Sequence, residues 1–227
     1  MQQPKKITPN HSKTPLSHGR GAGGEAINYA HALKWFESRG RQIFGLHFKV
    51  KEEDKHIITG LLAYFLKDES YCAEHQISLV KGILLTGPVG CGKTTIMQLM
   101  KYFNSNSTSY AVKSCRDVSF EFIQDGYETV YRYSKKSYSA TKEPLIYCFD
   151  DMGTEQSLKY YGNECNVMAE VLLSRYDLFV SRKLVTHLTT NLSATEIENL
   201  YGNRLRSRMR EMFNLIAFDK EMEDKRK

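Results

Sequence analysis

From Lys81 to Phe218 the chain alternates between short runs of consecutive apolar residues and stretches where apolar residues return every three or four positions. The runs at 83–86, 110–112, 145–149, 184–189 and 215–218 predict five strands. Ile96, Leu99, Met100 and Phe103, and then Met168, Val171, Leu172 and Phe179, mark helices between them. Apolar strands separated by amphipathic helices imply an α/β fold, with a mainly parallel five-stranded sheet covered on both faces. Ligands of such sheets bind beyond the carboxyl ends of the strands.

Before Lys81 the pattern is helical. Ile27, Ala30, Leu33 and Phe36 predict a helix over 26–39 with Gly40 as its stop. Ile57, Ile58, Leu61, Leu62, Phe65 and Leu66 form one stripe, entered through Glu52-Glu53-Asp54. Residues 25–80 thus read as a small helical region ahead of a domain at 81–218. Residues 1–24 hold Pro4, Pro9, Pro15 and four glycines with little apolar content, which predicts a disordered tail. The mixed charges of 219–227 predict a frayed end.

Charge changes this picture less than its total suggests. Lys and Arg number 32 against 26 Asp and Glu, a formal +6. Lys5, Lys6, Lys13 and Arg20, with no acid among them, place +4 of that in the tail, so the domain is nearly balanced. No apolar run is long enough to span a bilayer, and Lys5-Lys6 leads into Ile7-Thr8-Pro9-Asn10 rather than an apolar stretch. A cytoplasmic protein is expected. Five scattered cysteines without a CxxC pair suggest reduced thiols and argue against a disulfide framework or structural zinc. His187, alone in an apolar run, reads as a core histidine.

The chemistry lies at the predicted strand ends. Gly87-Pro88-Val89-Gly90-Cys91-Gly92-Lys93-Thr94 matches GxxxxGK[ST] after a strand and at the start of a helix, with Thr95 next. Such a loop turns backbone N–H groups toward phosphate oxygens, and the helix N-terminus adds its positive dipole end. Lys93 would reach the β/γ-phosphates and Thr94 would ligate Mg²⁺. Cys91 reads as a space-filler, although the lysine and helix end could lower its thiol pKa. The strand at 145–149 ends in Asp150 and Asp151, 57 residues after Lys93 in the case of Asp150. Asp150 would hold Mg²⁺ through water and Asp151 would polarise the attacking water. Asn191, closing the next strand after Thr189-Thr190, could orient that water; the bland alternative is a capping turn.

Two further segments are open at this level. Arg204 and Arg208 share one helix face, with Arg206 and Arg210 roughly opposite. One face could offer a guanidinium to a neighbouring subunit's γ-phosphate and the other could meet nucleic acid, or the helix could simply be solvated. Between Phe120 and Tyr138, aromatics interleave with cations, a recipe for single-strand binding. Its first half, with Phe122 and Tyr127, reads better as a buried helical stripe. Tyr131, Arg132, Tyr133, Lys135 and Lys136 are the nucleic-acid candidates. Lys159-Tyr160-Tyr161-Gly162 is a weaker one.

The ordered set GPVGCGKTT, LIYCFDDMG, TTN and YGNRLRSRMREM resembles the AAA+ ATPases, over roughly residues 80–218. It is most similar to the branch of bacterial helicase loaders (the DnaC type) and transposition helper ATPases (the IstB type). The resemblance implies ATP and Mg²⁺ as cofactors and assigns Lys93 and Thr94 to Walker A and Asp150 and Asp151 to Walker B. It implies sensor 1 at Asn191, an arginine finger in trans at Arg204 and a second sensor at Arg208. Only nine residues follow Phe218, so no C-terminal lid is expected. Implied too are a homo-oligomer, single-stranded DNA and a helicase or transposase client. Beside this ATPase reading stands a nucleotide-switched binding module with negligible turnover. A small-molecule kinase ranks last, for lack of an acceptor-binding segment.

Overall fold

A computed structural model describes residues 27–104, 109–139, 143–155, 158–160, 163–219 and 224–225. The expected tail at 1–24 lies outside these residues. Compact units divide between Lys49 and Val50.

In the first unit, α1 (Tyr29–Phe44) begins at Asn28, whose side chain accepts the N–H of His31. It runs through Gly40 instead of stopping there. A Cβ on Gly40 would lie 2.2 Å from the Phe48 ring, so this glycine permits a close approach within the helix. The stop is Gly45, at φ 105.

The second unit contains α2 (Lys55–Leu66), α3 (Glu69–Glu74), β1 (Gly82–Thr86), α4 (Lys93–Met100) and β2 (Tyr110–Ser114). Next come α5 (Cys115–Asp125), α6 (Tyr127–Arg132), β3 (Ile146–Met152), β4 (Leu158–Tyr160) and β5 (Asn163–Cys165). It ends with α7 (Val167–Arg182), β6 (Thr186–Thr190), α8 (Ala194–Met212) and β7 (Phe213–Ala217). Five parallel strands take the order β2-β3-β6-β1-β7. All five expected strands are present. The antiparallel pair β4-β5 has no counterpart among the five predicted strands and includes Lys159 and Tyr160 of the weaker nucleic-acid candidate.

Helix α2 belongs to this sheet. It is buried nearly all round, through Ile57, Ile58, Leu61, Leu62, Ala63, Tyr64 and Phe65, which a one-striped surface helix would not be. Tyr64 and Phe65 lie against His187 of β6, with centroids 5.9 and 5.3 Å away, and the Tyr64 hydroxyl donates to the Lys81 carbonyl. The structure therefore separates α1 and α2 into different units, where the sequence reading grouped them as one helical region. On the other sheet face Leu84, Phe149 and Leu188 join a core with Val118, Phe122, Val130, Met168, Leu172 and Leu205.

His187 is fully buried and its Nδ1 accepts the Ile83 N–H. Burial, aided by Lys67 and Arg175, lowers its pKa to about 3, so the ring is neutral. The unfolded chain binds a proton at its ordinary value of 6.5 and the folded chain does not. Stability from this group is thus complete above pH 6.5 and drains away as pH falls toward 3. Acidifying from about pH 6.5 to 4.5 should cost the protein about 2 kcal/mol more than it costs His187→Gln. Urea unfolding at several pH values measures this; parallel curves would show that the ring is not the source.

Arg175 of α7 is the largest fully buried side chain among the described residues. Its guanidinium donates to Thr186 Oγ1 at 2.6 Å and to the carbonyls of Tyr133, Leu145 and Val185 at 2.9, 3.2 and 3.2 Å. It also lies over the Tyr147 and Phe149 rings. The N-terminal ends of β3 and β6 are clipped together at this point, with the acids and Asn191 at their other ends.

Candidate nucleotide site

The phosphate loop follows β1 and runs into α4, as its spacing predicts. Gly90 and Gly92 take φ 83 and 98, values that side chains disfavour, and Gly92 caps α4. Lys93 is buried, and its Nζ donates to the carbonyls of Gly87 and Pro88 at 2.8 and 2.9 Å. The ammonium is thus held at the loop. Val89 is exposed and Cys91 fully buried. Burial pushes the Cys91 thiol up, and the opposing pull of Lys93 does not reverse it. The residue fills space, and the suggested lowering of its pKa does not occur.

Strand β3 brings Asp150 to the first turn of α4. The Thr94 hydroxyl lies 3.0 and 2.8 Å from the two Asp150 oxygens, and Thr189 Oγ1 donates to Oδ1 at 2.6 Å. Burial raises the Asp150 pKa; hydrogen bonds from Thr189 and Thr94 oppose this, Asp151 adds to it and Lys93 opposes it. A partly desolvated carboxylate beside a hydroxyl is a set of hard oxygen donors, which suits Mg²⁺. Asp151 stands next to it at φ 56, half-buried. Asn191 follows β6 and is exposed.

Several contacts around this centre carry no motif. Glu155 accepts the Gly153 N–H at 2.9 Å and the Tyr201 hydroxyl, which ties the turn after the acids to α8. Helix α8 is interrupted at Gly202, φ 84, just before the arginines. Lys225 Nζ donates to the Asp54 carboxylate at 2.6 Å and to the Cys91 carbonyl at 2.9 Å. Its N–H reaches the Gly90 carbonyl at 3.1 Å. The expected frayed end is therefore pinned at Lys225, because the buried Asp54 needs a counter-charge; residues 220–223 and 226–227 lie outside the described residues. Pairs this distant in sequence leave no local signal.

The arginines separate. Arg204 is exposed and forms no ion pair among the described residues. Arg208 turns to α7, with its guanidinium 4.3 Å from the Tyr176 ring centroid and 3.7 Å from Asp177. Arg206 pairs with Glu198.

The nucleic-acid candidates divide as well. Gly126, at φ 58, breaks the segment into α5 and α6. Tyr133 is only 5% exposed, packs against Tyr147 and Phe149, and its hydroxyl bonds Glu121. It is a core residue and offers no free face to a base, contrary to the sequence expectation. Arg132 pairs with Glu121 and Asp125, and Lys136 with Glu128. Tyr131, at 43% exposure, and Lys135 face solvent. So do Phe120 and Tyr127, although the first half of the segment is expected to be a buried stripe. Of the weaker candidate 159–162, Tyr161 and Gly162 lie outside the described residues.

Residues 82–157 match the model of the AAA domain (dynein-related subfamily). No curated protein matches the sequence. Among solved structures, the DnaC helicase loader is 17% identical, with 86% of this chain and 100% of that one covered at a TM-score of 0.54. DnaI is 17% identical over 75% of this chain and 88% of its own, at 0.50. At such identities the likeness concerns the fold, and it coincides with the parallel sheet and phosphate loop described above. The chain thus carries an AAA-domain match over residues 82–157 on a P-loop fold of the AAA+ type, similar to that of the DnaC helicase loader.

Proposed function

We propose that this chain binds ATP with Mg²⁺ and hydrolyses it to ADP and phosphate. The cycle drives several copies to assemble on single-stranded DNA and to recruit or remodel a helicase or transposase partner. The contact of Thr94 with both oxygens of Asp150 carries the reading, since it joins the phosphate loop to the acidic strand end at one point. Thr94 and Asp150 would hold the ion, which when bound neutralises charge developing on the phosphates. Lys93 and the N–H groups from Gly90 to Thr95 would bind phosphate oxygens. Asp151 would take the proton of the attacking water, and Asn191 would orient that water.

Arg204, exposed and without an ion pair among the described residues, suits a finger reaching a second copy. Tyr131 and Lys135, with Phe120 and Tyr127, supply exposed rings and a cation for a single strand. The DnaC-like fold supports the class of partner. Phosphate release measured over a range of protein concentrations, with and without single-stranded DNA, tests the reading. Activity per subunit should rise with concentration, and Arg204→Ala should lower the plateau by at least about tenfold. Binding with a flat, negligible release would instead favour the nucleotide-switched module.

A further inference from the structure

We infer that Thr189 is the positioning residue that sets both acids of β3 through a single hydroxyl. This rests on the nucleotide reading above. Opposite β6 the pairing of β3 runs Tyr147 with Thr186, Cys148 with His187 and Phe149 with Leu188, then resumes at Met152 with Thr190. Two residues, Asp150 and Asp151, therefore face one, Thr189. That is a β-bulge, and it leaves the extra residue without a regular ladder partner.

Thr189 supplies what the ladder does not. Its Oγ1 accepts the Asp151 N–H at 2.9 Å and donates to Asp150 Oδ1 at 2.6 Å. An amide can only donate and an ionised carboxylate can only accept, so the one hydroxyl proton has a single place to go. The residue is 0% exposed, so water does not compete. Asp151 meanwhile sits at φ 56, a left-handed conformation that disfavours a residue with a Cβ. In a regular strand the side chain after Asp150 would point to the opposite sheet face. The bulge and the left-handed turn re-aim it, and the Thr189 bond to its N–H holds that turn. Meanwhile Thr94 and Thr189 approach the Asp150 carboxylate from α4 and β6, fixing its rotamer for a cation. Thr189 would touch neither nucleotide nor water; it acts through the acids.

The test uses Thr189→Val, which keeps the shape and removes the hydroxyl, and Thr189→Ser, which restores it. Binding of a fluorescent ATP analogue is titrated with and without Mg²⁺, alongside steady-state hydrolysis and thermal melting. For Thr189→Val we expect metal-free binding within about twofold of the parent. The Mg²⁺ concentration at half-saturation should rise, and kcat should fall, each by about tenfold or more. Thr189→Ser should recover most of both. A Val variant with unchanged Mg²⁺ dependence and kcat overturns the inference. So does a Ser variant as impaired as Val, or a Val variant that loses metal-free binding in proportion to a lowered melting temperature. Failure of the nucleotide reading looks different: the parent protein itself would bind no analogue.

Discussion

Lys93→Ala should weaken ATP binding by about 100-fold or more, equivalent to roughly 3 kcal/mol. The ammonium is buried at the first residue of α4 and donates to the loop carbonyls of Gly87 and Pro88. Exchanging those neutral acceptors for phosphate oxygens turns ordinary hydrogen bonds into charge-assisted ones, which are about twice as strong. The fold should tolerate the change, because the lysine bonds only its own loop and does not tie distant elements together. Titration with a fluorescent ATP analogue reads the affinity, and melting temperature serves as the control. Asp151→Asn provides the contrast: it leaves the loop intact and removes the proton acceptor, so binding should persist while phosphate release is lost. Undiminished hydrolysis in both variants would overturn the assignment.

Arg175→Met should destabilise the fold by about 3 kcal/mol. Two terms oppose each other. Burial disfavours the charge, holding the Arg175 pKa down to about 10, so removing it relieves a desolvation cost. Yet the same change strands the carbonyls of Tyr133, Leu145 and Val185 and the Thr186 hydroxyl in the interior. Several lost hydrogen bonds at about 1 kcal/mol each, plus the cost of unsatisfied acceptors, exceed that relief. For a chain of this size the melting temperature should fall by roughly 10 °C. Arg175→Lys should recover less than half, because one ammonium cannot span acceptors on three segments. A shift below about 1 kcal/mol for Arg175→Met would show that the acceptors find other partners.

Much of the fold was legible because its signals are local. A run of apolar residues at 145–149 with Asp150 and Asp151 at its end has one sensible reading in a sheet covered on both faces, and β3 follows it. The phosphate loop needs glycines at fixed offsets for its own backbone, whatever surrounds it, and Gly90 and Gly92 have the backbone angles that require them. His187 was readable as core because its neighbours are apolar.

Where local reading failed, a distant neighbour decided. Gly40 has the composition of a helix stop, and only the Phe48 ring gives it a reason to lie inside α1. Tyr131 and Tyr133 are equivalent as aromatic residues near lysines. Tyr131, inside α6, lies on its exposed side, while Tyr133, at the C-cap, packs against Tyr147 and Phe149. Thr189 looked like part of a capping turn until the bulge set it opposite two acids.

By itself the sequence determined the α/β alternation, the loop that can hold phosphate and the strand that carries the acids, since backbone periodicity and glycine geometry are properties of neighbouring residues. Only the tertiary structure decided which hydroxyl orients those acids, which tyrosine is available to a ligand, and that Lys225 closes on Asp54 beside the loop. Burial and charge pairing depend on groups brought together from far along the chain, and no periodicity encodes them.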